Sequence, residues 1–300
     1  MALILRLFFV ISVLSVPLLS AAAETTKLRH VVSVYADEKG AGLQHPEGLA
    51  CNDKSLLVVG DTGNRRLIRF TFQEGNVKGG TEIRIPQLTS PIRIQVNSKG
   101  EIFALDGRER RIVRLAPDGS FKGYVTAEGA SPSAMTPRSF KIDRDDAIYV
   151  LDVFSARVLL LNPDGKFQKQ IAFPKEYGFF SDLAVDPKGN VLLIDSVDGR
   201  AFSAAKNANS FSPLGGSLKE HLSFPVSLTT DNRGTIFITD ENGGAIGILS
   251  QDGSFLGKQL SMGWNEGLLY YPSQVCVNEK GETFIADRGN SRVQVFIPVK

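Results

Sequence analysis

The sequence predicts an all-β fold, a six-bladed β-propeller of four-stranded antiparallel blades, and three observations carry that prediction. The stretch ETFIADRGNSRVQVF (residues 282–296) recurs in weaker form around Asp61, Asp106, Asp152, Asp195 and Asp240, giving six copies with Asp287. Successive aspartates are 45, 46, 43, 45 and 47 residues apart, the roughly 40–50 residue period of propeller blades. Each period holds apolar, β-branched or aromatic runs separated by tight-turn signals, a strand pattern with no helical periodicity.

Within one period an apolar run leads to the aspartate, a polar turn follows, and a second run such as Val293, Val295 and Phe296 returns from it. The turns APDGSF at Ala116, NPDGKF at Asn162 and SQDGSF at Ser250 then begin a further strand, with glycine supplying the positive φ that hairpin turns require. NSKGE, DRDDA, DPKGN, DNRGT and NEKGE precede the apolar runs. That makes four strands and three turns per period, one blade, with innermost strands expected near Leu49, Ile94, Phe140, Leu183, Leu228 and Val275.

The motif of Asp, small or polar residues, Asn or a substitute, Arg and an apolar strand, best kept in DTGNRRLIRF and DRGNSRVQVF, resembles the NHL repeat family in its exported bacterial type. The resemblance extends over nearly all of the chain after residue 30. It implies a propeller, and for function it implies several classes, since the family includes binding scaffolds, RNA-binding regulators and a peptide-amidating lyase.

The chain divides into residues 1–23, read as a secretory signal peptide, and residues 24–300, read as one propeller domain. Arg6 precedes a thirteen-residue apolar core from Leu7 to Leu19, and Ala21, Ala22 and Ala23 form a small-residue exit. The core is shorter than the roughly 20 residues that span a bilayer. A periplasmic or secreted product with no stable membrane insertion is therefore expected.

Composition agrees with many short strands: 42% hydrophobic residues and 29 glycines. The formal charge of +2 falls to +1 without Arg6, a balance that by itself implies neither a nucleic-acid nor a membrane-surface partner, and the expected export argues against RNA binding. Cys51 and Cys276 fall on innermost strands of the first and sixth blades, neighbours once the ring closes. A disulfide is topologically allowed, but Cys51 aligns with Val277 and not Cys276, which favours side chains on opposite faces and two separate buried thiols.

His30–Ala36 is a strand to spare before the first repeat, and the sixth repeat ends after Phe296 without its outermost strand. The N-terminal strand is therefore expected to complete the last blade and close the ring. The six aspartates read as turn-capping residues and not as a catalytic set, because a repeated residue is distributed around the ring. Arg66, Arg111, Arg157, Arg200 and Arg292, each five residues later, read as their partners or as side chains packed across the hairpin; Ala245 breaks the pattern.

Departures from the repeat point to function. The post-aspartate turns and the segments entering each innermost strand share one face, and that face carries Met135, Tyr177, Phe179, Phe180, Trp264, Tyr270 and Tyr271, either as a recognition surface or as plugs between blades. Gly48, Arg93, Ser139, Asp182, Ser227 and Gln274, two places after the recurrent Pro or its substitute, are expected at the channel. Asp61 to Arg114 holds eleven Lys or Arg against six Asp or Glu, a net of +5, and Asp195 to Asp252 holds four against seven, a net of −3.

The expected function is an exported, non-catalytic binding or scaffolding propeller that recognises a protein or polysaccharide partner of anionic character. Its expected partner-binding residues are Arg65, Arg93, Arg108, Arg110, Arg138, Tyr177, Asp182, Trp264 and Tyr271, with no cofactor. The alternative is a calcium-dependent lactonase or esterase, with Glu47 and Asp182 beginning a ligand set; calcium needs about six oxygen donors, and the other channel positions offer only Ser139, Ser227 and Gln274. A lyase of the amidating type needs histidines converging on zinc, and His30, His45 and His221 occupy unlike places in their repeats.

Overall fold

A computed structural model describes residues 27–299; the secretory leader expected at residues 1–23 lies outside them. Six four-stranded antiparallel sheets form the ring. Blade 1 is β2 (Leu49–Cys51), β3 (Leu56–Asp61), β4 (Arg66–Gln73) and β5 (Asn76–Ile83); blade 2 is β6 (Pro91–Val96), β7 (Ile102–Asp106), β8 (Arg111–Leu115) and β9 (Phe121–Tyr124). Blade 3 is β10 (Pro137–Ile142), β11 (Ile148–Asp152), β12 (Arg157–Leu161) and β13 (Phe167–Ala172), and blade 4 is β14 (Phe180–Val185), β15 (Val191–Asp195), β16 (Arg200–Ala204) and β17 (Ser212–Leu214). Blade 5 is β18 (Pro225–Thr230), β19 (Ile236–Asp240), β20 (Ala245–Leu249) and β21 (Phe255–Gln259).

Blade 6 takes β22 (Val275–Val277), β23 (Thr283–Asp287) and β24 (Arg292–Val299), and its outer strand is β1 (Lys27–Val34). The closing strand thus starts three residues earlier than expected and pairs from Lys27↔Val299 to Val34↔Val293. It leaves no unpaired seam where the chain ends meet.

Neighbouring blades stack face to face, so the second strand of every blade is sandwiched on both sides; β7, β11, β15, β19 and β23 are buried at every residue. Their sequences accordingly read as continuous apolar runs. The core is divided among the blade interfaces: Val58, Leu67, Ile94 and Ala104 join blades 1 and 2, and Leu49, Val59, Phe284 and Val293 join blades 1 and 6.

This stacking corrects the reading of the cysteines, because Cys51 and Cys276 form a disulfide. Around a ring, the front face of one sheet meets the back face of the next, so residues that touch across an interface lie on opposite faces in repeat register. Cys51 pairs with Leu57 and Cys276 with Phe284, and both Leu57 and Phe284 belong to the blade 1–blade 6 core. The one-residue offset that argued against the bond is what the bond requires.

The aspartates are structural, as expected. All six are fully buried, and each accepts a backbone N–H from the segment entering its own blade: Gln44, Thr89, Thr136, Gly178, Ser223 and Tyr270. The arginines do not all take the same role. Arg66, Arg157 and Arg292 bond Asp61, Asp152 and Asp287 at 2.7, 3.0 and 2.7 Å, whereas Arg111 lies over the Tyr124 ring and Arg200 is exposed. The residue preceding these positions turns the chain at positive φ, 58° at Arg65 and 53° at Arg110, a conformation that Gly199 and Gly244 adopt without a Cβ penalty.

Candidate binding site at the channel mouth

Four of the six innermost strands carry a β-bulge at their start, with register shifts between Pro91 and Arg93, Pro137 and Ser139, Phe180 and Asp182, and Pro225 and Ser227. A bulge leaves one residue out of the ladder and re-aims its side chain. The residues so released, Ile92, Arg138, Ser181 and Val226, line a cleft of about 220 Å3 at the channel mouth. Glu47 and Ser273, which follow Pro46 and Pro272, complete the inner ring, and Phe179, Phe224, Glu241 and Arg288 form its rim.

The expected channel positions are therefore one residue out, and the innermost strands of blades 2 to 5 begin three residues before their expected starts. Of the six residues two places after the proline, only Arg93 lines this mouth; Gln274 lines the opposite vestibule. Asp182 is buried, its Oδ2 taking the Leu228 N–H at 3.0 Å and its Oδ1 the Leu183 N–H at 2.9 Å and the Ser139 hydroxyl. It ties blades 3, 4 and 5 together and is only 4% exposed, unlike the other residues expected on the binding surface.

Arg93 closes the floor of the mouth by reaching across the channel, its guanidinium donating to the Ile92 carbonyl at 2.9 Å and to Val226 O at 3.2 Å. Arg288 is paired with Glu241. Three charges remain without an ion pair among the described residues, Glu47, Arg138 and Arg93, the last bonded only to backbone carbonyls. The Arg138 guanidinium lies 3.8 Å from the centroid of the Phe179 ring, a cation–π contact. Burial and then the Arg110 cation weaken its hold on its proton, and it stays charged at neutral pH. Burial likewise pushes the Glu47 carboxyl above the usual range, against the opposing Arg288 and Arg93 charges and with help from Glu241.

The other expected binding residues are dispersed. Arg65, Arg108 and Arg110 are exposed on the post-aspartate turns of blades 1 and 2. Tyr177 is a plug as much as a surface, stacked on Phe180 with centroids 5.2 Å apart and edge-on to Phe173. Trp264 and Tyr271 are exposed on the segment entering blade 6, away from the cleft. Sequence reasoning missed the roles of Glu241, Arg288 and Phe224, which only ring closure brings together. It also missed Phe154, 75% exposed on the turn after Asp152, and Val197, exposed on the turn after Asp195.

The oxygen donors proposed for calcium do not fit that ion. Both Asp182 oxygens and Gln274 Oε1, which takes the Leu49 N–H at 3.1 Å, are committed to protein donors, and Glu47 faces arginines. Among the described residues no group of three or more His, Cys, Asp or Glu could hold a metal. The histidines do not converge: His30 bonds Ser33 and His221 stacks on Phe255.

Six blades around a channel with a charged mouth define the class of protein. Residues 269–296 match the NHL repeat model, and with the ring this makes the chain an NHL-type β-propeller. Among curated protein sequences none matches it. A gluconolactonase from Xanthomonas campestris is similar in structure, with a TM-score of 0.67 over 91% of this chain and 94% of that one at 14% identity. Virginiamycin B lyase from Staphylococcus aureus has a TM-score of 0.62 over 92% and 100% at 13% identity. The PQQ-bound aldose sugar dehydrogenase from Streptomyces coelicolor has a TM-score of 0.62 over 93% and 100% at 14% identity. At such identities the likeness establishes architecture alone.

Proposed function

We propose that this protein is an exported binding propeller that seats an acidic group of a protein or polysaccharide partner at the channel mouth. The observation that carries this reading is Arg138, a half-buried cation held against an aromatic ring with no carboxylate in ion-pair reach among the described residues. A buried charge is costly without a partner, and an incoming carboxylate supplies one. Arg93 beneath and Arg110 beside it add positive potential, and Ile92, Phe179, Phe224 and Val226 offer apolar walls to the ligand's carbon skeleton. Exposed Phe154 and Val197 on neighbouring turns extend the surface for a protein partner. Export is supported by the leader-like residues 1–23 and by the Cys51–Cys276 disulfide, since such bonds persist in oxidising compartments.

The test is titration of parent and Arg138→Ala with polyglutamate and polygalacturonate at 0.1 M and 1 M salt. Binding should weaken about tenfold or more in the variant and at high salt, where the Debye length falls from about 10 to about 3 Å, with the melting temperature unchanged. Binding that survives both changes, or absence of binding by the parent, would overturn the assignment.

A second reading, hydrolase or lyase, rests on Glu47: a half-buried carboxyl with a raised pKa facing a cleft is suited to general acid–base work. Turnover of a lactone or ester that disappears in Glu47→Gln would move the assignment to an enzyme.

A further inference from the structure

On the face opposite the mouth the channel widens into a vestibule of about 470 Å3 ringed by the turns that join the first and second strands of the blades. Most of its polar side chains have structural work. Asn52, Asn97, Asp143, Asp186, Asp231 and Asn278 each use Oδ1 to accept two backbone N–H groups of their own turn.

Lys141 is different. It stands on β10 paired with Tyr149, and the corresponding residues of the other blades are Ala50, Gln95, Ala184, Thr229 and Cys276. No other blade places a charge there, so the fold does not require one. The amine makes one long hydrogen bond, 3.4 Å to Thr229 Oγ1 across the channel, and no ion pair. The carboxylate that acts on it is Asp182, whose oxygens are already taken by Ser139, Leu183 and Leu228. Lys54 and Lys188 also line the vestibule, but both are exposed.

We propose that Lys141 is a covalent attachment site that takes the aldehyde group of a small hydroxylated compound as a reversible imine. The Nζ lone pair adds to the carbonyl carbon, the amine proton passes to the carbonyl oxygen, and the resulting carbinolamine loses one water to give C=N. Hydrolysis with one water restores both partners. Burial lowers the Lys141 pKa, with the Asp182 charge opposing, so a larger fraction of this amine than of a surface lysine is unprotonated and nucleophilic at neutral pH. The ligand's hydroxyl groups meet the Gln95 amide and the Asn52 Nδ2, neither of which hydrogen-bonds a protein group among the described residues.

The test treats the protein at pH 7 with D-glyceraldehyde and cyanoborohydride, which adds hydride to the imine and fixes it as a secondary amine, and locates the adduct by peptide mass spectrometry. Lys141 should be labelled at least tenfold faster than Lys54 and Lys188, and Lys141→Met should lose that adduct alone. Labelling of Lys141 no faster than of the two exposed lysines overturns the proposal, and the parent protein suffices to show it. A parallel reaction with propanal checks the ligand class: an equal preference for Lys141 over Lys54 with both aldehydes overturns the assignment of a hydroxylated ligand.

Discussion

Asp152 carries two loads, accepting the Thr136 N–H at 2.9 Å with Oδ1 and Arg157 Nε at 3.0 Å with Oδ2. Both side chains are buried, so removing the carboxylate strands a charge as well as an N–H. Asp152→Ala should therefore cost about 3–5 kcal/mol in denaturant unfolding, the range for breaking a buried pair from one side. Adding Arg157→Met should restore part of that, and a loss below about 1 kcal/mol would show that Arg157 finds another anion. Glu101 is the corresponding case for pH. Burial works against its charge, but Lys122, Arg114 and Asn97 hold its pKa down to about 2. A carboxyl depressed on folding stabilises the protein above its unfolded pKa and loses that contribution as pH falls through the folded value. Stability should thus decline between about pH 4.5 and pH 2, and acid titration of Glu101→Gln should show a flatter decline over that window.

At the scale of the element, the informative feature is the bulge that follows the proline of the innermost strand. The repeat made the proline legible, and with it the approach to the channel, but a bulge shifts alternation by one, so Arg138 faces the mouth where Ser139 was expected. No residue type marks that shift, since the bulged positions hold Ile92, Arg138, Ser181 and Val226. The closing strand was legible because it is a strand without a blade. β1 covers the edge of β24, buries Val34 and sets His30 edge-on to Phe296 at 5.6 Å. Deleting residues 27–36 should lower the melting temperature by about 10 °C or more, because it removes the buried Val34, worth about 1.5–3 kcal/mol, and the half-buried Leu28, Val31 and Val32 of the same strand. An unchanged melting temperature would mean that β1 does not hold the ring closed.

Across the whole molecule, the disulfide and the closing strand lie at the same junction, the inner and outer ends of the contact between chain termini. The bond joins residues 225 apart, so it restricts nearly the entire unfolded chain. Cys51→Ser should destabilise by about 2–4 kcal/mol, read in denaturant without reductant; an equal loss on adding reductant to the parent would tie the effect to the bond. What the sequence by itself determined is what a single period contains: strand, turn, capping aspartate and blade count, because those interactions close within about 45 residues. The tertiary structure alone decided which side chains meet across the axis. Glu47, Arg138, Glu241 and Arg288 come from four blades, Lys141 reaches Thr229 past an intervening blade, and Cys51 finds Cys276 from the opposite face of its sheet. Those encounters depend on ring curvature, bulge register and the facing of successive sheets, none of which is encoded at the spacing of any one repeat.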